Sequence, residues 1–375
     1  MDCIALVLSA AVEKILRAIY EDFQLLELDT QGACSYTALL VTTDAGLQTR
    51  KIIQARESRF SLNLDITDEA TRVYGHLAPA TRLLATMPLT TEEGEQTFFF
   101  YELDLVPGVP FSDLVPRRKT TDDETMVQQR ILVGHLARFF ARGWHHKSNR
   151  SYCSGRVGSQ LQFKLDQLSS QLPSEALRAV ARWASDSLPL LETLPVVLTH
   201  GDVVPSNIMV HPDTGVLQGM VDWAEAEFLP FGMAFYGLEY LLGFDCKRRD
   251  SMTDSVVSFT YYDGAPTLRL HFWSTLLAKI PELQIKPELL KAVHIAKVIG
   301  TLLWFGFAWD GGAIDRVVSR DRDADTLAHL EAFLFAEIDA WGQRARHGSS
   351  GSPDSSALAD SGYQHRTESA LDPSR

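Results

Sequence analysis

The 375-residue chain has few cysteines and a deficit of positive charge, and each shortage narrows what it can be. Cys3, Cys34, Cys153 and Cys246 stand far apart. They lack both the close spacing of a zinc site and the density of a disulfide framework, and read as ordinary thiols of a reducing compartment. Lysine and arginine total 35 against 48 acidic residues, a net charge of −13. Nucleic acids and anionic membranes are held by clustered cations that displace counterions from phosphates, so neither is expected as a partner. A neutral or cationic small molecule suits the balance better. No uninterrupted apolar run approaches the roughly 20 residues that span a bilayer. The apolar opening, from Ile4 to Val12, lacks a basic leader, carries Asp2 just before it, and runs into Glu13, Lys14 and Arg17 at helical spacing. It reads as an amphipathic first helix and not as a signal peptide, and a cytoplasmic location is expected. Internal repeats are also absent.

What is present has a clear order. Residues 23–41 and 48–54 read as strands, with Asp44-Ala45-Gly46 as a turn between two of them. Residues 64–74 open with Asp65, Thr67, Asp68 and Glu69 and predict a helix with an acidic first turn. Residues 97–105 form an apolar strand that must end at Val106-Pro107-Gly108-Val109-Pro110, because proline cannot continue a ladder. Helical periodicity follows over 126–146, 160–172 and 174–188, and returns over 234–243, 267–277, 287–307 and 326–344. Between these two sets lie a strand at 194–198 and a hairpin, 208–210 with 217–221, across the turn-rich His211-Pro212-Asp213-Thr214-Gly215. Beyond about residue 347 the chain is rich in Ser, Gly, Asp and Pro and is expected to be disordered. The expected organisation is α+β: an N-terminal helix (1–22), a small antiparallel β lobe (23–106), a larger helical lobe carrying one hairpin (107–346) and a tail (347–375).

The chemistry concentrates in one segment, Thr199-His200-Gly201-Asp202-Val203-Val204-Pro205-Ser206-Asn207, followed by Val221-Asp222-Trp223. Phosphoryl transfer from a Mg²⁺-nucleotide needs one acid beside the attacking hydroxyl, and further oxygen ligands that hold metal against the phosphates. Asp202 is the candidate for the first role, on a loop that Gly201 lets turn tightly. Asn207 offers a neutral amide oxygen and Asp222 a hard anionic one, so these two are the candidate metal ligands. Asp222 lies in an otherwise apolar run, where an unpaired carboxylate is expensive. His200 is expected to brace the loop by hydrogen bonding rather than to move protons.

These residues resemble the aminoglycoside phosphotransferase and choline kinase group, especially its fungal branch, in having Gly201 beside the catalytic acid and Asp222-Trp223 as the metal motif. The likeness extends loosely over about residues 20–342. It implies a two-lobed protein-kinase-like fold, ATP and Mg²⁺ as cosubstrate, and a hydroxyl or amine of a small molecule as acceptor. Tyr101-Glu102-Leu103-Asp104-Leu105-Val106-Pro107-Gly108 is similar to the family's interlobe hinge, which implies adenine contacts at Glu102, Leu103 and Asp104.

The β lobe departs from the pattern. The position resembling the phosphate-gripping lysine is Gln54; strand alternation places Arg56 on the same face and Lys51 on the opposite one. Arg56 is therefore the substitute cation, with Glu69 as its helix partner, unless both are ordinary surface charges. The phosphate loop around Gly32 and Ser35 has one glycine where such a loop has three, and an ordinary hairpin turn accounts for it equally well. Glu225, Glu227, Trp304, Trp309, Asp310 and Asp315 are candidates for the acceptor site, through charge and cation–π contact. After Asp222 the chain is too short for a protein kinase's activation segment. The competing function is an inert pseudokinase that binds a metabolite or a protein.

Overall fold

The computed structural model describes residues 3–348, except 29–30, 45–46, 92–93, 149–152, 250–254 and 312. The tail expected to be disordered lies outside the described residues, apart from its first two positions. The first helix, α1 (Cys3–Arg17), turns Leu8, Val12 and Leu16 to the interior at helical spacing. They pack on a five-stranded antiparallel sheet in the order β1-β2-β3-β5-β4, made of β1 (Phe23–Glu27), β2 (Tyr36–Asp44), β3 (Leu47–Glu57), β4 (Thr81–Thr91) and β5 (Gly94–Asp104). Ala38, Leu40, Ile53, Ala55, Phe98 and Phe100 complete this first core, so α1 is part of the β unit and not a separate one.

Strand β4 has no counterpart among the expected elements. It carries Pro88, which removes a ladder donor and argues against a central strand, but β4 lies at the sheet edge, where proline is tolerated. Between β3 and β4 stands α2 (Leu64–Tyr74), capped by Asn63, whose side chain accepts the Ile66 N–H at 3.3 Å. Its buried face, Ala70, Val73 and Tyr74, belongs to the second, larger core.

That core gathers α3 (Asp123–His145), the single turn α4 (Gly155–Gly158), α5 (Leu161–Gln171) and α6 (Glu175–Asp186) with the later helices. Strand β6 (Val109–Pro110) pairs with β8 (Ile208–Val210), which pairs with β9 (Leu217–Met220). Strand β7 (Val196–Thr199) pairs with β10 (Glu227–Pro230), with Thr199 opposite Glu227. The expected helix over 234–243 is instead a 3₁₀ turn at Met233–Tyr236, the short α7 (Gly237–Tyr240) and the start of a hairpin, β11 (Gly243–Arg249) with β12 (Ser255–Tyr261). Helices α8 (Ala265–Lys279), α9 (Glu282–Ile285), α10 (Pro287–Gly306) and α11 (Ala324–Gly348) follow. α10 is long and apolar enough by composition to cross a membrane, but 78% of its most apolar stretch is buried. It is the central helix of the second core. The α+β organisation, with a small β unit and a large helical one, stands as expected.

Candidate active site

The catalytic-type loop leaves β7 at Thr199 and is braced on every side. Gly201 has φ +81°, and a Cβ there would lie 1.9 Å from the Glu225 carbonyl oxygen, so only glycine allows the two backbone segments to cross. His200 is buried. Its Nδ1 accepts the Asp202 N–H at 3.2 Å, so Nε2 carries the proton and donates to the Val221 carbonyl at 2.9 Å. Burial pulls its pKa down to about 4, so the ring is neutral and ties the Asp202 loop to the chain entering Asp222. From the other side, Tyr236 Oη donates to the Gly201 carbonyl at 3.1 Å and accepts the Val203 N–H at 3.2 Å. The Tyr74 hydroxyl reaches the Leu198 carbonyl at 2.7 Å, joining α2 to the strand that leads into the loop. Neither tyrosine was foreseen, because nothing near it in sequence marks it as a brace.

Asn207 Nδ2 donates to Asp202 Oδ2 at 2.8 Å and to the Asp202 carbonyl at 3.1 Å, fixing the acid's orientation. Burial and the charge of Asp222 lift the Asp202 pKa to about 7 against the pull of this hydrogen bond. Because the nitrogen end of the amide is used on Asp202, its oxygen end points away from that carboxylate. The Asn207 carbonyl accepts the Val221 N–H at 3.0 Å, so the two candidate metal ligands are joined through backbone. Asp222 is the one described non-glycine residue with positive φ, at 63°. Such strain persists where surrounding structure over-determines it, and here Trp223 is locked by Nε1 donating to the Met220 carbonyl at 2.9 Å and by the Tyr74 ring at 5.1 Å.

Arg56, 3% exposed, reaches across from β3 and donates through Nη2 to Asp222 Oδ1 at 2.9 Å. Its Nε donates to Gln54 Oε1 at 3.1 Å, so Gln54 and Arg56 do share a face. Lys51, on the other face, pairs with Asp104. Glu69 lies one turn before Arg72 on α2 and takes its guanidinium in two hydrogen bonds, at 2.6 and 2.7 Å, while Arg56 reaches Asp222.

Asp202, Asp222, Arg56, Gly32 and Ser35 line one cavity of about 390 Å³. The Gly32–Ser35 turn is closed by a short bridge and held by Gln31, whose Oε1 accepts the Thr37 N–H at 2.6 Å. Glu102, Leu103 and Asp104 are not among the cavity's lining residues. They pair with Ile53, Ile52 and Lys51 of β3, and the Asp104 N–H goes to the Ala80 carbonyl at 2.9 Å. The Glu102 carboxylate is taken by Arg82 and Tyr20. Ladder and side-chain partners thus engage all three positions.

Of the acceptor candidates, Glu225, Glu227, Trp304 and Trp309 line the cavity, and Asp310 and Asp315 do not. Asp310 is held by Arg316 at 2.6 Å. Glu227 is nine-tenths buried and accepts the N–H groups of Val157 and Gly158 at 3.0 and 2.9 Å, so it anchors α4 to β10. A Cβ on Gly155 would lie 2.2 Å from its Cδ.

Among the described residues no group of three His, Cys, Asp or Glu side chains is placed to hold a metal ion. Asp222 and the amide oxygen of Asn207 are donors of the kind a hard divalent cation takes, with non-protein oxygens completing its shell, as is common for Mg²⁺ beside phosphates.

Solved structures similar to this chain include a candidate aminoglycoside phosphotransferase from Ralstonia eutropha, 14% identical, covering 88% of this chain and 98% of that one, with a TM-score of 0.47. Another is an ethanolamine kinase from Plasmodium vivax, 12% identical, covering 87% and 85%, TM-score 0.44. A third is an aminoglycoside phosphotransferase from Streptomyces rimosus in complex with ADP and streptomycin, 12% identical, covering 87% and 98%, TM-score 0.42. No curated protein gave a match. The model of the APH phosphotransferase enzyme family matches residues 37–233, which include β2 to β10, Arg56, the Asp202 loop and Asp222. With more than half its length matched, the chain belongs to the phosphotransferase enzyme family and has its two-lobed, protein-kinase-like α+β fold.

Proposed function

We propose that the protein transfers the γ-phosphate of ATP to a hydroxyl, or an amine, of a small molecule. The observation that carries this reading is that Arg56, paired with Asp222, and Asp202, oriented by Asn207, line one cavity, which sets a cation, an anionic metal-competent oxygen and a base around one space. Asp202 takes the proton of the acceptor hydroxyl as its oxygen bonds to the γ-phosphorus; the bond from that phosphorus to the β-phosphate oxygen breaks and ADP leaves. A pKa near 7 suits a group that must hold and release that proton at neutral pH. Asn207 orients Asp202 and, with Asp222, would hold Mg²⁺, which when bound neutralises charge on the phosphates. Arg56 would release Asp222 in part and grip phosphate oxygens bidentately, replacing the lysine that Gln54 does not supply.

The test is Mg-ATP binding by thermal shift on wild type and Asp222→Ala, followed by ADP release in a metabolite-extract screen on wild type and Asp202→Ala. Stabilisation lost in Asp222→Ala, with ADP release lost in Asp202→Ala, supports the reading. The competing reading, an inert binder, is favoured by the single-glycine loop and by the engagement of Asp222 with Arg56. It predicts no Mg-ATP stabilisation, or stabilisation without transfer to any acceptor.

A further inference from the structure

Strand β3 meets the missing lysine with a connected set of polar groups. Lys51, the one lysine of that strand, faces away and pairs with Asp104. Gln54 stands where the cation is expected and does not line the cavity, whereas Arg56 and Ser35 do. Its amide lies between two partners that fix which end faces which. Arginine carries only donors, so the amide oxygen must face Arg56, and Oε1 accepts the Nε–H at 3.1 Å. The amide nitrogen is thereby turned to Thr37, directly opposite on β2, and donates to its Oγ1 at 3.4 Å.

From Thr37 the connection enters the turn that faces the phosphates. Thr37 is buried, and Gln31 holds its backbone N–H and carbonyl at 2.6 and 2.9 Å. Its hydroxyl lies 3.2 Å from Ser35 Oγ. Because the Thr37 oxygen already accepts from Gln54, its own hydrogen goes to Ser35, and the Ser35 hydrogen is left to turn into the cavity. A Cβ on Gly32 would lie 2.9 Å from Ser35 Oγ, so glycine there keeps that hydroxyl uncovered. At the other end Arg56, with Nε engaged, presents its Nη edge to Asp222 at 2.9 Å and to the cavity. Donors therefore run one way, from Arg56 through Gln54 and Thr37 to Ser35, and each bond polarises the next.

We infer that Gln54 is a positioning residue that joins the Arg56 guanidinium and the Ser35 hydroxyl into one grip on nucleotide phosphates, and that lysine in its place weakens nucleotide binding. The inference rests on the phosphotransferase reading and concerns its nucleotide end. An ammonium group has no acceptor, so Gln54→Lys leaves Arg56 Nε without its partner and sets a second cation beside the first on one strand face. Arg56 is 3% exposed, so water screens that repulsion poorly. A site that has merely lost its lysine would instead be mended by Gln54→Lys, and the two expectations have opposite signs.

Isothermal titration calorimetry with Mg-ATP, and with adenosine, which lacks the phosphates, tests this on wild type, Gln54→Met and Gln54→Lys, with circular dichroism to show that each is folded. Gln54→Met keeps the length of the side chain and removes both hydrogen bonds. It is expected to raise the Kd for Mg-ATP about tenfold and to leave that for adenosine unchanged, because Arg56 and Ser35 address phosphate alone. Gln54→Lys is expected to raise the Kd for Mg-ATP at least as much. Ser35→Ala and Thr37→Val should each raise it about threefold, and the double variant little further, because both break one connection. Tighter Mg-ATP binding by Gln54→Lys overturns the inference. So does Gln54→Met with an unchanged Kd for Mg-ATP, or with Mg-ATP and adenosine weakened alike, which is the mark of a general packing role. Fully additive effects of Ser35→Ala and Thr37→Val overturn it as well. If wild type itself takes no Mg-ATP, the phosphotransferase reading fails and this inference falls with it, a result distinct from wild type binding while Gln54→Lys binds more tightly.

Discussion

Asp202 is held in a place that suits catalysis better than stability. Its carboxyl ordinarily titrates at 3.8, and burial and Asp222 lift it to about 7 in the fold. Between those values the folded chain holds a proton that the unfolded chain releases, so stability is greatest below 3.8 and falls as pH rises towards 7. Asp202→Asn keeps the shape and removes the ionisation. Urea unfolding should therefore find the variant more stable than wild type at pH 8 by a few kcal/mol, at about 1.4 kcal/mol per pKa unit, and nearly equal to it near pH 4. The same substitution should lower kcat by about 10² to 10⁴. A variant no more stable at pH 8 would show that the carboxylate is well solvated.

His200 has the opposite sign. Its pKa falls from 6.5 to about 4 in the fold, so the unfolded chain binds the extra proton in that window and stability is lost as pH drops through it. The stability that wild type has over His200→Gln should shrink between pH 7 and pH 4, and turnover should show no inflection that the substitution removes. Arg56 is the third residue whose role is decided locally. Arg56→Ala leaves Asp222 without its 2.9 Å partner. Mg-ATP affinity should fall at least about tenfold, and Arg56→Lys should restore part of it, because a point charge replaces a bidentate fork.

At the scale of elements, the site depends on close backbone crossings more than on helix strength. Gly201 passes the Glu225 carbonyl at a distance that leaves no room for a methyl group, and its φ of +81° is costly for any other residue. Gly201→Ala should cost well over 1 kcal/mol and abolish the proposed transfer, a loss measured as a lower melting temperature with no ADP release. Replacing the Asn63 cap of α2 by Ala should cost only about 1 kcal/mol and leave turnover intact. These crossings also explain what could be read from the chain beforehand. Asp202, Asn207 and Asp222 were legible because their spacing is local, within one loop and one hairpin. The Arg56–Asp222 pair joins residues 166 positions apart, and no local pattern announces it. Glu69 takes Arg72, three residues on, a pairing that helix spacing makes legible. The backbone N–H groups of residues 157–158 that hold Glu227 leave no trace in sequence. Strand β10 is buried at all four positions, so it lacks the alternation that marks a strand, and Pro88 disguised β4.

For the whole molecule, the decisive fact is that two cores meet at one site. Leu8, Val12 and Leu16 of α1 belong with the β sheet, while the interior of α2 and every later helix core belong to the second cluster. Arg56 is anchored in the first unit and Asp222 in the second, so their ion pair crosses the boundary where a nucleotide would bind. The second unit has its own buried tie. Glu239, fully buried, receives Lys297 of α10 at 2.6 Å, Arg269 of α8 at 2.6 Å and the Tyr261 hydroxyl of β12 at 2.9 Å. Glu239→Gln removes the charge that balances buried cations and should cost about 3–5 kcal/mol. Leu16→Ala should cost about 2–5 kcal/mol through the cavity it leaves under the sheet. If the units unfold separately, near-UV circular dichroism should show the first variant lowering one transition and the second variant another, with Mg-ATP raising both because it binds only when Arg56 and Asp222 face each other. If both variants lower a single shared transition, the Arg56–Asp222 contact and the α2 packing couple the cores into one cooperative unit, and nucleotide binding is then linked to the stability of the entire fold.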